Sequence, residues 1–164
     1  MRSNIRILIL RTLVLGASIL ALPPITVLAQ APVSTLKDNN RALLIFARES
    51  TDPSYARQQH LLENQASELA DRDLIFIPVL YKRMPTDANQ ASPVFASDTE
   101  QKHLRSRYNI QPQEFAVLLL GKDGGEKLRS RTPVTMEKLS HLIDSMPMRQ
   151  QEIRQRTRSK ETRE

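Results

Sequence analysis

The chain has no cysteine among its 164 residues. This absence excludes disulfides, thiolate catalysis, iron–sulfur ligation and thiolate zinc sites, because each of them needs the sulfur atom itself. It also excludes a lipoprotein-type anchor on cysteine. Aromatic residues make up only 4% of the chain and tryptophan is absent. The stacking platforms that single-stranded nucleic-acid binders use are therefore poorly supplied.

The net charge of +6 lies outside the central part of the chain. Residues 1–29 carry three arginines and no acid, and residues 149–164 carry six basic against three acidic residues. The remainder, 30–148, has 15 residues of each sign. Because this central part is electrically balanced, we expect no basic surface field that would steer nucleic acid to it. No nucleic-acid partner is predicted.

The first 29 residues have the pattern of a secretory signal peptide. Early arginines precede an apolar run, TLVLGASILAL, and small or apolar residues precede a cleavage point after Ala29. The alternative is a membrane anchor, but the run is shorter than the ~20 residues that cross a bilayer. We predict an exported protein, periplasmic or extracellular.

A β-hairpin is predicted from Phe115 to Ser130, FAVLLLGKDGGEKLRS. Six successive apolar residues favour a strand that is covered on both faces. Glycines and an aspartate form the turn, and Asp-Gly and Gly-Gly supply the positive φ angles that tight hairpin turns require. The predicted structural turn residues are Gly121, Asp123, Gly124 and Gly125.

Two further buried strands and three helices are predicted around this hairpin. Apolar runs predict strands at 42–46 and 74–79, and apolar spacing predicts a helix from Asp52 to about Ala70. Ser97 and Glu100 have the spacing of a capping box that opens a helix to about Tyr108. A last helix is predicted at 136–145, ended or kinked by Pro147. Residues 81–98, without periodicity, are predicted to form a long surface connection.

One domain is predicted, at 42–148, after a short leader segment at 30–41. Residues 149–164 form a basic polar tail with one strongly apolar residue beyond its start, so it is a solvated helix or disordered. Attachment of this tail to anionic lipid or polysaccharide is the alternative. It is not favoured, because acids interrupt the basic residues and membrane-binding segments usually have denser runs of Lys and Arg.

The order of these elements predicts an α/β fold. A βαβ unit has parallel strands, and a following helix, antiparallel hairpin and C-terminal helix complete a four-stranded mixed sheet. This order resembles a thioredoxin-like fold. The motif Thr51-Asp52-Pro53-Ser54 occupies the slot of the thioredoxin Cys-Gly-Pro-Cys motif, with the proline kept and both cysteines replaced. Pro112 lies three positions before Phe115, so the cis-proline of thioredoxins is not assigned to it.

The chain also resembles the bacterial domain of unknown function 4174 (DUF4174), which has relatives in some secreted matrix proteins of animals. The similarity is carried by GKDGGEKLRS at 121–130, followed by Pro133-Val134, and by LIDSMPMR at 142–149. The resemblance implies a thioredoxin-like domain without the redox cysteine pair. It implies no particular activity.

For three motifs, the sequence supports a structural role better than a catalytic or ligand-binding role. Thr51 or Ser54 would need an adjacent base to act as a nucleophile, and none is apparent in the sequence. A metal site at His60 and Glu63 would need further ligands, so no metal and no cofactor are predicted. The glycine turn precedes a strand, whereas a phosphate-binding loop precedes a helix N-terminus.

A binding surface is predicted beside the vacant redox slot. It comprises Arg48, Glu49, Thr51, Asp52 and Ser54, at the carboxyl end of a buried strand, where open α/β sheets commonly bind ligands. The predicted function is that of an exported binding module without thiol chemistry, for an unknown protein or envelope component. The alternative is an oxidoreductase-related enzyme of partner-dependent or unrecognised mechanism.

Overall fold

The computed structural model describes residues 39–82 and 96–161. The predicted signal peptide at 1–29, most of the leader segment and most of the connection over 81–98 lie outside the described residues. Within the described ranges, none of the helices combines the length and the apolar character that a membrane span requires.

A four-stranded mixed sheet forms the centre of the fold, as predicted. The strands are β1 (Arg41–Ala47), β2 (Leu74–Leu80), β3 (Ala116–Leu120) and β4 (Glu126–Ser130). Their order across the sheet is β2-β1-β3-β4, with β1 parallel to β2 and antiparallel to β3. Every residue of β1 and β3 is buried, because each of these strands has a neighbour on both sides and helices over both faces. The edge strand β4 is largely exposed.

Five helices accompany the sheet. They are α1 (Pro53–Leu62), α2 (Ala66–Asp71), α3 (Asp98–Tyr108), α4 (Met136–Asp144) and α5 (Pro147–Glu161). Alternate residues of β1 point to opposite faces of the sheet. Leu43 and Ile45 pack in one cluster with residues of α1 and α4, whereas Leu44 and Phe46 pack in another with residues of α3. Two apolar layers therefore enclose the sheet, with α1 and α3 on opposite faces.

The prediction of one continuous helix to about Ala70 is wrong. Helix α1 ends at Leu62, Glu63 leaves the helical conformation with ψ 140°, and Asn64 is left-handed with φ 60°. Asparagine tolerates this conformation better than most residues. The apolar spacing of Leu62, Ala66 and Leu69 continues across the break, so periodicity alone could not reveal it.

The hairpin turn depends on one glycine for its backbone conformation. Gly124 has φ 74° and is the only residue of the turn with a positive φ. Asp123 stabilises the turn by accepting a hydrogen bond from the Gly125 amide at 3.0 Å. The prediction of positive φ angles is correct at Gly124 and wrong at Gly125. At Gly121 an added Cβ would lie 2.6 Å from both Asp123 Oδ1 and Lys127 Cε, so close approach restricts that position.

Helix α5 contains most of the predicted tail, and Arg149 attaches its first turns to the rest of the fold. Arg149 Nη1 donates to the Asp71 carbonyl at 2.7 Å, Nη2 pairs with the Asp71 carboxylate, and Nε donates to Asp144 Oδ1 at 3.2 Å. Arg156 adds an ion pair to Asp71 at 2.9 Å. The helical alternative for the tail is confirmed over the described residues, but Arg149 is buried and not solvated.

Glu152 continues this attachment at the amino end of β1. Its carboxylate accepts from Arg41 Nη2 at 3.0 Å and pairs with Lys122 Nζ at 2.9 Å. The Arg41 side chain is 1% exposed. An isolated guanidinium is costly to bury, so its pairing with Glu152 ties the position of α5 to the start of the sheet.

Acid is expected to detach α5. Burial alone would raise the pKa of Glu152, but hydrogen bonds and charges from Arg41 and Lys122 outweigh it and the pKa is lowered. Since the folded pKa lies below the unfolded value of about 4.3, Glu152 stabilises the fold above that pH. The stabilisation is lost as the pH falls through the folded pKa. Hydrogen exchange of α5 amides, followed from about pH 6 to about pH 3, measures the effect.

Glu152→Gln is expected to remove the part of this pH dependence that comes from Glu152, because the side chain no longer titrates. Asp144 keeps its own part, since burial would raise its pKa but hydrogen bonds from Arg72 and Arg149 outweigh this effect and lower it. Glu161→Gln is the matched control on the same helix, since Glu161 is exposed. Equal α5 protection in the wild type across the whole pH range would contradict the prediction.

Candidate functional site

The predicted slot residues lie together on one turn between β1 and α1. Asp52 is the N-cap of α1, and its Oδ1 accepts from the amides of Ser54 at 2.8 Å and Tyr55 at 3.3 Å. Pro53 occupies the first helical position. An aspartate N-cap followed by proline satisfies and preorganises the helix start, so the geometry of the slot follows from its sequence.

The remaining slot side chains face solvent to different extents. Arg48 and Thr51 are exposed, whereas Glu49 and Ser54 are partly buried. The Arg48 carbonyl accepts from the Lys82 amide at 2.7 Å, which places the slot at the carboxyl ends of both β1 and β2. Within residues 39–82 and 96–161, no histidine or carboxylate is hydrogen-bonded to the hydroxyl of Thr51 or Ser54. The described residues therefore give neither hydroxyl the base that a nucleophile needs.

Arg105 of α3 lies on the other face of the sheet at the same edge. Its Nη2 donates to the carbonyls of Ala47 at 2.6 Å and Val79 at 3.0 Å, and its Nη1 donates to the Gln111 carbonyl at 2.7 Å. The residue is 6% exposed. One side chain thus joins the ends of β1 and β2 to the loop that leads into β3.

Two aromatic rings enclose the Arg105 guanidinium. Its carbon atom Cζ is 5.5 Å from the centroid of Phe46 and 5.9 Å from that of Tyr81. Burial lowers the pKa of Arg105, because the charged form loses its hydration, and the negative charge of Glu114 only partly opposes this. The Nε atom is buried without a hydrogen-bond partner among the described residues.

A pocket opens beside Tyr81 and Arg105. Its volume is about 300 Å³, and it is lined by the residues Tyr81, Gln101, Lys102, Arg105, Ser106, Asn109, Ile110, Gln111 and Pro112. Tyr81 is 47% exposed, although it is a large aromatic residue. Residues 111–112 of the loop before β3 therefore border this edge of the sheet. The peptide bond before Pro112 is trans.

A second groove, of about 610 Å³, lies between α2 and α4 on the face that α1 covers. It includes His141, Glu68 and the ion-paired Arg72 and Asp144. His60 Nδ1 lies 2.9 Å from Glu63 Oε2, with both side chains exposed. Across the described part of the chain, His, Asp and Glu side chains form no group of three that could hold a metal ion.

Sequence reasoning missed Arg105 and Tyr81. A signal for Arg105 was present, since Gln101, Leu104, Arg105 and Tyr108 follow the i, i+3, i+4, i+7 spacing of one helix face, and all four are buried. A charged residue on that face predicts a buried cation. Tyr81 directly follows β2, but no sequence feature predicted that it contacts α3.

The family model of the domain of unknown function DUF4174 matches residues 32–152. Coiled-coil domain-containing protein 80 of Danio rerio is 28% identical over 137 residues, which are 74% of this chain and 15% of that protein. The chain thus corresponds to a small part of this relative.

Among solved structures, the reduced 2-Cys peroxiredoxin of Plasmodium vivax matches with a TM-score of 0.53 and 13% identity, over 73% of this chain and 84% of that chain. Plasmodium yoelii thioredoxin peroxidase I matches with a TM-score of 0.51 and 16% identity, over 73% and 79%. At such low identity these matches show the fold, which is thioredoxin-like as predicted.

Proposed function

We propose that this chain, which belongs to the family of the domain of unknown function DUF4174, is a thioredoxin-like binding module that works without thiol chemistry. Its binding surface is the slot formed by Arg48, Glu49, Thr51, Asp52 and Ser54. Its partner is a protein or another component of the cell envelope. The signal-peptide pattern of residues 1–29 supports export to that compartment.

One observation carries this proposal: the backbone elements of the slot are present, but the cysteines that thioredoxins have there are absent. The strand, the turn and the capped helix that present the redox motif in thioredoxins are all present here. The full sequence has no cysteine. Disulfide exchange needs an attacking thiolate, so the slot offers a surface with a defined backbone but no redox group.

The charges of the slot support a binding role. Arg48 is exposed and Glu49 is partly buried, and neither side chain has an ion-pair partner in the described ranges. Such groups remain available to a partner, and opposite charges at adjacent positions favour one orientation of a polar ligand. The backbone beneath them is fixed by the Asp52 cap and by pairing with β2, so binding requires little reorganisation.

The tail supports only a small role in attachment to the envelope. Two of its six basic residues, Arg149 and Arg156, pair with Asp71 within the fold. Fewer cations therefore remain for an anionic surface, which agrees with a peripheral attachment that is not the main mode of action.

An activity assay separates binding from the alternative of an oxidoreductase-related enzyme. The purified protein, lacking residues 1–29, is expected to give no insulin reduction and no hydroperoxide consumption above the buffer rate, because it has no thiolate. Adding a thiol reductant or a small dithiol protein tests whether a partner's cysteines supply the missing group. Protein-dependent turnover under either condition would contradict the proposal.

A further inference from the structure

We propose that the pocket beside Tyr81, on the face of the sheet covered by α3, binds the anionic group of a small ligand, a carboxylate or a phosphate. We name this site, made by Tyr81, Lys102, Arg105 and Gln111, the Tyr81 pocket. It goes beyond the slot surface, because α1 and α3 lie on opposite faces of the sheet.

The described lining of the Tyr81 pocket is positively charged. Among the described residues that line it, Lys102 and Arg105 are the only charged ones, and none is a carboxylate. Lys102 is exposed and Arg105 is 6% exposed, so one cation lies at the rim and one beneath. Two cations beside a small concave surface raise the local concentration of anions.

Arg105 has no ion-pair partner within the described part of the chain. The other two buried arginines, Arg41 and Arg149, each pair with carboxylates. Its hydrogen bonds to described residues all go to neutral backbone carbonyls, which satisfy the donors but do not compensate the positive charge of Arg105. A buried unpaired charge is costly, and a bound anion would reduce that cost.

The nearest acid does not fill this role. Glu114 acts on Arg105 through its charge, yet its Oε1 lies 3.2 Å from Arg131 Nε and its Oε2 accepts from the Gln111 amide at 3.2 Å. Both of its carboxylate oxygens are therefore engaged, one by Arg131 and one by the backbone of the loop before β3. Within the described ranges, no carboxylate lines the pocket opposite Arg105 and Lys102.

The shape and the remaining lining specify a small ligand. A volume of about 300 Å³ is at the lower end of the range for small-molecule sites. The Tyr81 ring is 47% exposed and has the guanidinium 5.9 Å from its centroid, so an apolar or aromatic group can pack on it beside the anion. Gln111, whose backbone amide is engaged by Glu114, adds a polar residue to the lining. An aromatic carboxylate such as benzoate fits this combination.

The test is a titration of the ¹⁵N-labelled protein, without residues 1–29, at low ionic strength. Sodium benzoate and inorganic phosphate are the two probes, each followed by amide chemical shifts. We expect saturable shifts centred on the amides of Tyr81, Lys102 and Gln111 for at least one probe. Saturation by benzoate alone assigns a carboxylate ligand, and saturation by phosphate alone assigns a phosphate ligand.

Lys102→Glu reverses the rim charge and is expected to weaken binding by about tenfold or more. Lys138→Glu makes the same charge change at an exposed position of α4 and is expected to leave binding unchanged. The absence of saturable shifts with both probes would overturn the proposal, as would equal weakening by the two variants. Neither result would affect the slot surface, which is tested with other residues.

Discussion

Gln58→Leu is expected to lower the free energy of unfolding by about 2–6 kcal/mol, because it leaves two buried backbone groups unpaired at about 1–3 kcal/mol each. Gln58 is fully buried in α1. Its Nε2 donates to the Val134 carbonyl at 2.9 Å, and its Oε1 accepts from the Val134 amide at 2.7 Å. Val134 is itself 2% exposed, so water cannot replace either bond.

Leucine is close to glutamine in volume, so this change removes hydrogen bonds without opening a large cavity. Gln58→Glu should likewise destabilise the fold at neutral pH, because its carboxylate must either be buried as a charge facing the Val134 carbonyl or take up a proton. Arg57→Leu, at the neighbouring exposed position, is the matched control and should cost less than about 0.5 kcal/mol. Chemical denaturation measures all three, and a Gln58→Leu protein as stable as the control would contradict the assignment.

Arg149→Met is expected to cost about 3 kcal/mol and to detach α5. Removing one member of a buried ion pair typically costs 3–5 kcal/mol. The lower end applies here because Asp71 and Asp144 are 50% and 36% exposed and can regain water. The hydrogen bond from Arg149 Nη1 to the Asp71 carbonyl is lost as well.

Hydrogen exchange locates this effect, since the amides of α5 should lose protection before those of β1 and β3. Arg154→Met is the matched control on the same helix, because Arg154 is exposed. Equal protection of α5 in the two variants would show that the ion pairs of Arg149 do not attach the helix.

The strands and their order were predictable because their signals are local. Continuous apolar runs at β1, β2 and β3 gave the buried strands, and a βαβ unit followed by a hairpin leaves few arrangements of the sheet. The slot was predictable for the same reason. Its five residues lie within seven consecutive positions, and Asp52-Pro53 specifies a helix start.

The features that were missed depend on contacts between residues far apart in the chain. Arg41 and Glu152 are 111 positions apart, and Arg105 and Ala47 are 58 positions apart. No local pattern shows which acid or carbonyl a distant arginine will meet. The break at Asn64 was missed for a different reason, since the apolar stripe continues through it.

The slot and the Tyr81 pocket share one edge of the sheet but differ in how the fold builds them. The slot is a single turn with its own cap, whereas the pocket needs Tyr81, Arg105 and Gln111 to come together from three segments. Arg105 links the two, because its Nη2 holds the Ala47 carbonyl directly before Arg48. A substitution of Arg105 would therefore disturb both sites, so the tests of each site use other residues.

Site-specific photocrosslinking from position 51 in the producing cell tests most directly whether the slot binds a partner. We expect a discrete adduct from Thr51 that is absent when the crosslinker replaces exposed Arg154 of α5, the helix that Glu152 ties to the amino end of β1. The adduct should be lost in an Arg48→Ala/Glu49→Ala protein and kept in the charge-matched control Glu137→Ala/Lys138→Ala. Adduct formation that survives the loss of Arg48 and Glu49, or that is equal from both positions, would contradict a binding role for the slot.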